Sequence, residues 1–237
     1  MVVVAGNIKE IKSLKLKVGS YFKSINGKNV NNKNKVIEKQ KQPNILLNYK
    51  KTDQTHLFLG VRGYDMFHPD KYVLDVLSII LGGNMSSRLW IEIRERNGLA
   101  YYVGTGAQNY TDSGSLYTKA GLNNDKVEKA IQIILKNYKL IKDKKIDQQE
   151  IRKAKDYIKG KAILSMESSD EQAYFYADQE LLENKILTLD EIFAKIEAVT
   201  ANDIQRVAKD IFKPEKLNLA LIGPFKDKAK FECLLKL

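Results

Sequence analysis

Two histidines, one cysteine and a few arginines and tyrosines set the chemistry open to this 237-residue chain. His56 and His68 lie twelve positions apart, and no H-x-x-E-H or H-E-x-x-H spacing occurs. Such spacing is what lets one helix face present two imidazoles to a zinc ion. Nothing in the sequence groups His56, His68 and Cys233 with a carboxylate, so no metal ligand is assigned to this chain. Scarce histidine also removes the usual general base for a serine or cysteine nucleophile. Cys233, in a helical tail, reads as a small apolar residue. Gly82-Gly83-Asn84 suggests a phosphate loop, but Met85-Ser86-Ser87-Arg88 follows where a Walker sequence needs Lys-Ser or Lys-Thr. The glycines instead end one helix, and Ser86 or Ser87 caps the next.

That next helix is the informative one. Met85, Leu89 and Ile93 share one face, while Arg88, Glu92 and Arg96 are spaced for i,i+4 charge pairs on the solvent side. Arg94 lies one turn after Trp90, at the edge of the apolar stripe. Asn97-Gly98 reverses the chain, and the strand that follows puts Leu99, Tyr101 and Val103 on one face. The glycine corner can bring Tyr101 back toward Arg94. Together they present a guanidinium fork and a phenol O–H, two rigid donors suited to peptide carbonyls or a carboxylate. The same spacing also suits an ordinary helix end.

The elements around this pair follow from periodicity. Met1–Gly6 reads as a strand with nothing before it to pair with, so it should complete a sheet of another domain or chain. Ile8, Ile11, Leu14 and Val18 follow at helical spacing until Gly19. Beyond Pro43, Asn44–Lys50 and Thr55–Arg62 read as strands joined by a turn at Thr52–Gln54. Pro69 opens a helix burying Val73, Val76, Leu77 and Ile80. Leu99–Gln108 and Gly114–Leu122 form a second strand pair. Helical patterns then cover 123–143, 147–166, 170–183, 188–199 (with Thr188 and Glu191 as a capping box) and 200–212. Leu217–Gly223 is the last strand, and Pro224 opens a final helix. Two hairpins with grouped helices predict an α+β two-layer sandwich, its sheet antiparallel-rich and its helices on one face.

Charge is unevenly placed. Residues 1–52 hold twelve lysines against Glu10 and Glu38, a net of +10, whereas the other 185 residues hold 28 basic and 27 acidic side chains. The Asn/Lys run from Lys23 to Lys35 reads as a solvated linker, or else as an arm for an anionic surface. Nucleic acid is not expected as a partner. No apolar run is long enough to span a membrane, no secretory leader is recognisable, and a single cysteine excludes an intramolecular disulfide. A cytoplasmic setting is expected.

Leu81-Gly-Gly-Asn-Met-Ser-Ser-Arg-Leu89, followed by Ile93-Arg-Glu-Arg-Asn-Gly-Leu-Ala-Tyr101, resembles the LGGGMSSRLF…REKRGLAY signature of the insulinase (pitrilysin) metallopeptidases. The match is to that family's second, inactive domain, and it extends over most of the chain. Asn84 replaces the usual Gly, and Trp90 the usual Phe. The resemblance implies residues 1–22 as a strand–helix remnant of a preceding homologous domain, 23–42 as a basic flexible linker and 43–237 as the inactive domain. It implies the insulinase or mitochondrial processing peptidase type of half-domain fold. Zinc in that family sits in the first domain, on an H-x-x-E-H motif and a distal Glu that this chain lacks, so zinc is expected in a partner domain or subunit. The family's Arg/Tyr pair, seven positions apart, matches Arg94 and Tyr101, which implies substrate binding and transition-state stabilisation. The implied function is the substrate-binding, non-zinc half of a zinc endopeptidase acting on peptides, inactive alone. A homo- or heterodimer is among the assemblies the resemblance admits, and a non-catalytic core subunit or scaffold of the same fold is the alternative.

Overall fold

The computed structural model describes residues 1–25, 27 and 33–237. One sheet is built from β1 (Asn44–Tyr49), β2 (Gln54–Arg62), β3 (Ala100–Asn109), β4 (Gly114–Asn123) and β5 (Leu217–Gly223). Its order is β1-β5-β2-β4-β3, with β1 and β5 parallel and the other neighbours antiparallel. The β3–β4 hairpin forms as the sequence predicts, closed by the Tyr110 N–H to the Ser113 carbonyl (2.8 Å). The first predicted hairpin does not form. β5 inserts between β1 and β2, so that Leu219 faces Ile45 on one side and Leu59 on the other. Leu217, Leu219 and Leu221 are all buried, whereas β1 buries only Ile45. The more apolar strand therefore takes the centre, where both of its edges are paired, and the poorer one takes the edge.

The helices are α1 (Ile11–Phe22), α2 (Lys71–Ser78), α3 (Val127–Asp143), α4 (Gln148–Ser165), α5 (Ser169–Asp178), α6 (Leu189–Glu197), α7 (Ala201–Ile211) and α8 (Ala229–Glu232). The stripe predicted on α3 is buried throughout, from Val127 to Ile141. Tyr138 carries its phenol into this core. A relay runs from the Thr105 hydroxyl to Thr118 (2.8 Å), from Thr118 to Tyr138 (2.9 Å) and from Tyr138 to the Leu59 carbonyl (3.2 Å). The ring stacks on Phe212, centroids 4.3 Å apart, and burial raises the phenol pKa far above its ordinary value. The expected capping box holds α6, and Thr200 with Asp203 repeats it on α7. The result is the predicted two-layer α+β arrangement.

Several local expectations change. Met1–Gly6 joins no ladder among the described residues, and Val2, Val3 and Val4 are exposed. α1 runs through Gly19 to Phe22, and none of its residues is buried. Residues 26 and 28–32 of the expected linker lie outside the described residues. Its later part is attached: Asp112 accepts from Lys33 Nζ (2.5 Å) and from the Val36 N–H (3.1 Å), and Gln40 donates to the Leu217 carbonyl (2.8 Å). The last helix starts at Ala229, on an Asp227 cap, and Cys233 beyond it is exposed rather than packed.

After Ser78 the backbone widens into a π-helical turn, Ile79–Gly83, that presses on β3. A Cβ on Gly82 would stand 2.6 Å from the Thr105 nitrogen, whereas on Gly83 it would meet the flexible end of Ile79. Gly82→Ala should therefore cost about 2 kcal/mol or more and Gly83→Ala clearly less, measured by urea unfolding. Equal costs would show that this approach is not tight.

On α2, Asp75 lines a cavity of about 450 Å³ reaching α5 and α6, and burial pushes its carboxyl up to about 6. The fold thus keeps a proton that the unfolded chain releases near pH 4. This contribution to stability is full below about pH 4 and is lost as the pH rises through about 6, by no more than about 3 kcal/mol. Asp75→Asn should be more stable than the parent at pH 7.5, with the gain shrinking toward pH 4. A gain independent of pH would refute the burial argument.

Candidate functional site

The segment bearing Arg94 begins at Asn84. Its Oδ1 accepts from both the N–H and the hydroxyl of Ser86 (2.9 Å each), while Ser87 Oγ donates to the Asn84 carbonyl. Asn84 thus closes the turn that leads into the helix, and Ser87 stands at the helix start, its carbonyl accepting from the Ile91 N–H (3.1 Å) while its hydroxyl turns back to Asn84. Leu89 and Ile93 are fully buried as predicted, but Met85 is exposed. From Trp90 to Glu95 the helix is π-helical, and the Arg96 N–H reaches back five residues to the Ile91 carbonyl (2.9 Å).

The predicted pairs among Arg88, Glu92 and Arg96 do not form, because flanking helices offer better-placed partners. Arg88 forks onto Glu150 of α4 through Nε (2.6 Å) and a terminal nitrogen (2.7 Å). Glu92 accepts from Asn137 (2.8 Å) and Lys136 (3.3 Å) of α3. A bidentate fork fixes orientation as well as distance. The segment is therefore held from both sides.

Arg94 is exposed and takes no part in these anchors. Its guanidinium carbon lies 4.4 Å from the centroid of the Trp90 ring, a stacked cation–π contact. The chain then reverses at Gly98, which has φ +56°, with its N–H on the Arg94 carbonyl (3.2 Å) and the Leu99 N–H on the Ile93 carbonyl (2.9 Å). Helix end and strand start are thereby held side by side.

Tyr101 is placed differently from the prediction. A β-bulge interrupts β3 there: Ala100 pairs with Leu122 and Tyr102 with Gly121, leaving Tyr101 unpaired in the register. The bulge turns Tyr101 off the face that buries Leu99 and Val103, and it is 56% exposed. Arg94 and Tyr101 thus flank the Gly98 corner as exposed side chains. No hydrogen bond joins the two, and neither side chain has a hydrogen-bond partner among the described residues. Among these residues both donors are left for a ligand.

The sequence reading missed the neighbouring sheet face. Tyr102 lies across Gly121 and places its hydroxyl 3.1 Å from His56 Nδ1. Phe58 and Tyr117 stack beside them, centroids 5.3 Å apart. The signal was available: the outward positions of β2 and β4 carry aromatics and glycines where a solvated face would be polar.

The two histidines have separate surroundings. His56 faces Tyr102, while His68 stacks on Tyr64 at 3.8 Å and accepts the Asp70 N–H (3.1 Å). Among the described residues no three His, Cys, Asp or Glu side chains come together, so this donor set does not fit a zinc site. Among the same residues no helix is long and apolar enough to cross a membrane.

Residues 1–158 match the family model described as the peptidase M16 inactive domain. A relative from Bacillus subtilis, described as an uncharacterized zinc protease, YmxG, is 34% identical over 226 residues, covering 94% of this chain and 54% of the relative. The chain thus spans about half the length of that relative. In fold it is similar to a protease from Helicobacter pylori (TM-score 0.81, 24% identity, 93% of this chain and 54% of that one). It is also similar to a peptidase M16 inactive domain from Pseudomonas fluorescens (TM-score 0.73, 18% identity, 84% of this chain and 48% of that one). By the extent of the sequence match, and with a fold that agrees, this chain belongs to the peptidase M16 inactive-domain family.

Proposed function

We propose that this chain is the substrate-binding, non-zinc half of an insulinase-type zinc endopeptidase, working with an H-x-x-E-H domain or subunit. The observation that carries the reading is the pair of unpartnered donors, Arg94 and Tyr101, on a segment anchored by Arg88 and Glu92. Arg94, rigid on Trp90, would hold a carboxylate or carbonyl of a peptide, and the Tyr101 O–H would donate to a second oxygen. Donors fixed before the reaction stabilise developing charge without reorganising. The length shared with the relatives supports a missing half, and so do the exposed Val2–Val4 and the apolar side chains of α1. In this reading residues 1–22 pack against that half, 23–42 link it to the domain formed by 43–237, and the assembly works in the cytoplasm.

The described residues offer no donor set that fits zinc, so the metal of the family is assigned to the H-x-x-E-H half. This chain alone should retain well under one zinc per molecule after dialysis and should cleave no peptide. One retained zinc per chain would overturn the assignment.

In the full protein with its H-x-x-E-H half, Arg94→Ala and Tyr101→Phe should each lower kcat/KM by about ten- to a hundred-fold, the loss of one hydrogen bond to a charged or charge-developing group. Stability should fall by no more than about 1 kcal/mol for Arg94→Ala, the worth of an exposed cation–π contact. Unchanged kinetics with lost stability would leave only the scaffold reading.

A further inference from the structure

The sheet face turned away from the helices carries an unusual surface. Tyr102 crosses β4 over Gly121, where a Cβ would stand 2.5 Å from the tyrosine ring. Two rows further along the same face, past the Phe58–Lys119–Gly104 row, Tyr117 is flanked by Gly60 on β2 and Gly106 on β3, which leaves its ring room to lie flat. Phe58 stacks on it. Beyond Phe58 the surface drops to Ala220 on β5 and rises again at Leu46 on the edge strand β1. The hollow between them has a volume of about 420 Å³, with Gly60 and Ala220 beneath it and Leu46, Phe58 and Tyr117 at its sides.

Tyr117 also lines a second hollow of about 330 Å³, which it shares with Trp90 and Lys119. Trp90 is the ring beneath Arg94. Both hollows are lined by Tyr117, which therefore stands between Leu46 on one side and Trp90, with Arg94 over it, on the other. From β3 to β1 this face crosses four strand spacings, about 19 Å, a span that an extended peptide of about six residues covers. The outward strand residues along it include Lys119, His56 and Arg62 and no carboxylate, but Arg62 is already paired with Glu38 of the segment before β1. Phe58 is 47% exposed and Leu46 68% exposed, apolar area that gains from being covered.

We propose that the hollow between Leu46 and Tyr117 is a specificity pocket for one large apolar or aromatic side chain of the peptide whose main chain is held at Arg94. The inference rests on the substrate-binding reading above and adds the class of substrate. Lys119, exposed and without an ion-pair partner among the described residues, suits a peptide segment carrying its own carboxylate, and the apolar side chains of Leu46, Phe58 and Tyr117 select against a small polar residue at the pocketed position.

The test uses the full protein with its H-x-x-E-H half and pairs of peptides that differ by Phe or Ser at one position, scanned along the chain. Ala220→Leu fills the hollow from below on the outward face and leaves Arg94 and Tyr101 untouched. At one position the parent should favour Phe, and Ala220→Leu should lower kcat/KM for that peptide by about ten- to a hundred-fold while changing its Ser counterpart less than about twofold. Leu46→Ser, on the exposed edge strand, should shrink the same ratio and serves if Ala220→Leu fails to fold. A Phe/Ser ratio unchanged in the folded variants, while Arg94→Ala lowers both peptides, would overturn the pocket and leave the substrate-binding reading intact. Equal loss for both peptides in Ala220→Leu would also overturn it, marking the hollow as a seat for the H-x-x-E-H half. If Arg94→Ala changes neither peptide, the underlying reading falls with it.

Discussion

At Gly82 the helical layer comes so close to β3 that an ideal Cβ would stand 2.4 Å from Thr105 Oγ1. Only a residue without a side chain allows that approach. Thr105 is in turn the first member of the buried relay through Thr118 and Tyr138 to the Leu59 carbonyl. One contact therefore joins the turn after α2, the β3–β4 hairpin and the long helix α3. A buried polar chain with every member satisfied specifies geometry, because any displacement leaves a donor or acceptor unpaired at a cost of about 1–3 kcal/mol. The segment bearing Arg94 follows the Gly82 turn by only a few residues, so its position is set by this junction.

The anchoring of that segment separates charges that hold structure from charges left for a ligand. Arg88 and Glu92 are consumed by α4 and α3, one on each side. Arg94 and Tyr101 are left outward, on either side of a left-handed glycine and next to a β-bulge. A bulge re-aims one side chain without breaking the strand. Here it frees Tyr101 from the core-facing row that Leu99 and Val103 occupy. The arrangement is rigid beneath and open above.

The net positive charge has a structural reading as well. Most of the excess lies before residue 53, in a helix with no buried residue and in a segment that reaches the domain through Lys33, Val36, Glu38 and Gln40. Arg62 ties this segment to the sheet by bonding Gln40 and pairing with Glu38.

The sequence by itself determined the elements from Asn44 to Gly223, the α+β class, the buried stripe of α3, the cap of α6 and the signature that carries Arg94 and Tyr101. These are local or nearly local properties: periodicity, turn chemistry and side-chain type act over a few residues. Only the tertiary structure decided that β5 separates β1 from β2, because strand order depends on which strand gains most from being paired on both edges. It also decided that Arg88 and Glu92 bond to other helices, since an i,i+4 spacing cannot reveal a better partner 62 or 45 residues away. The outward turn of Tyr101 was hidden for a similar reason. A bulge is one extra residue measured against a neighbouring strand, and a strand read alone has no neighbour to be measured against.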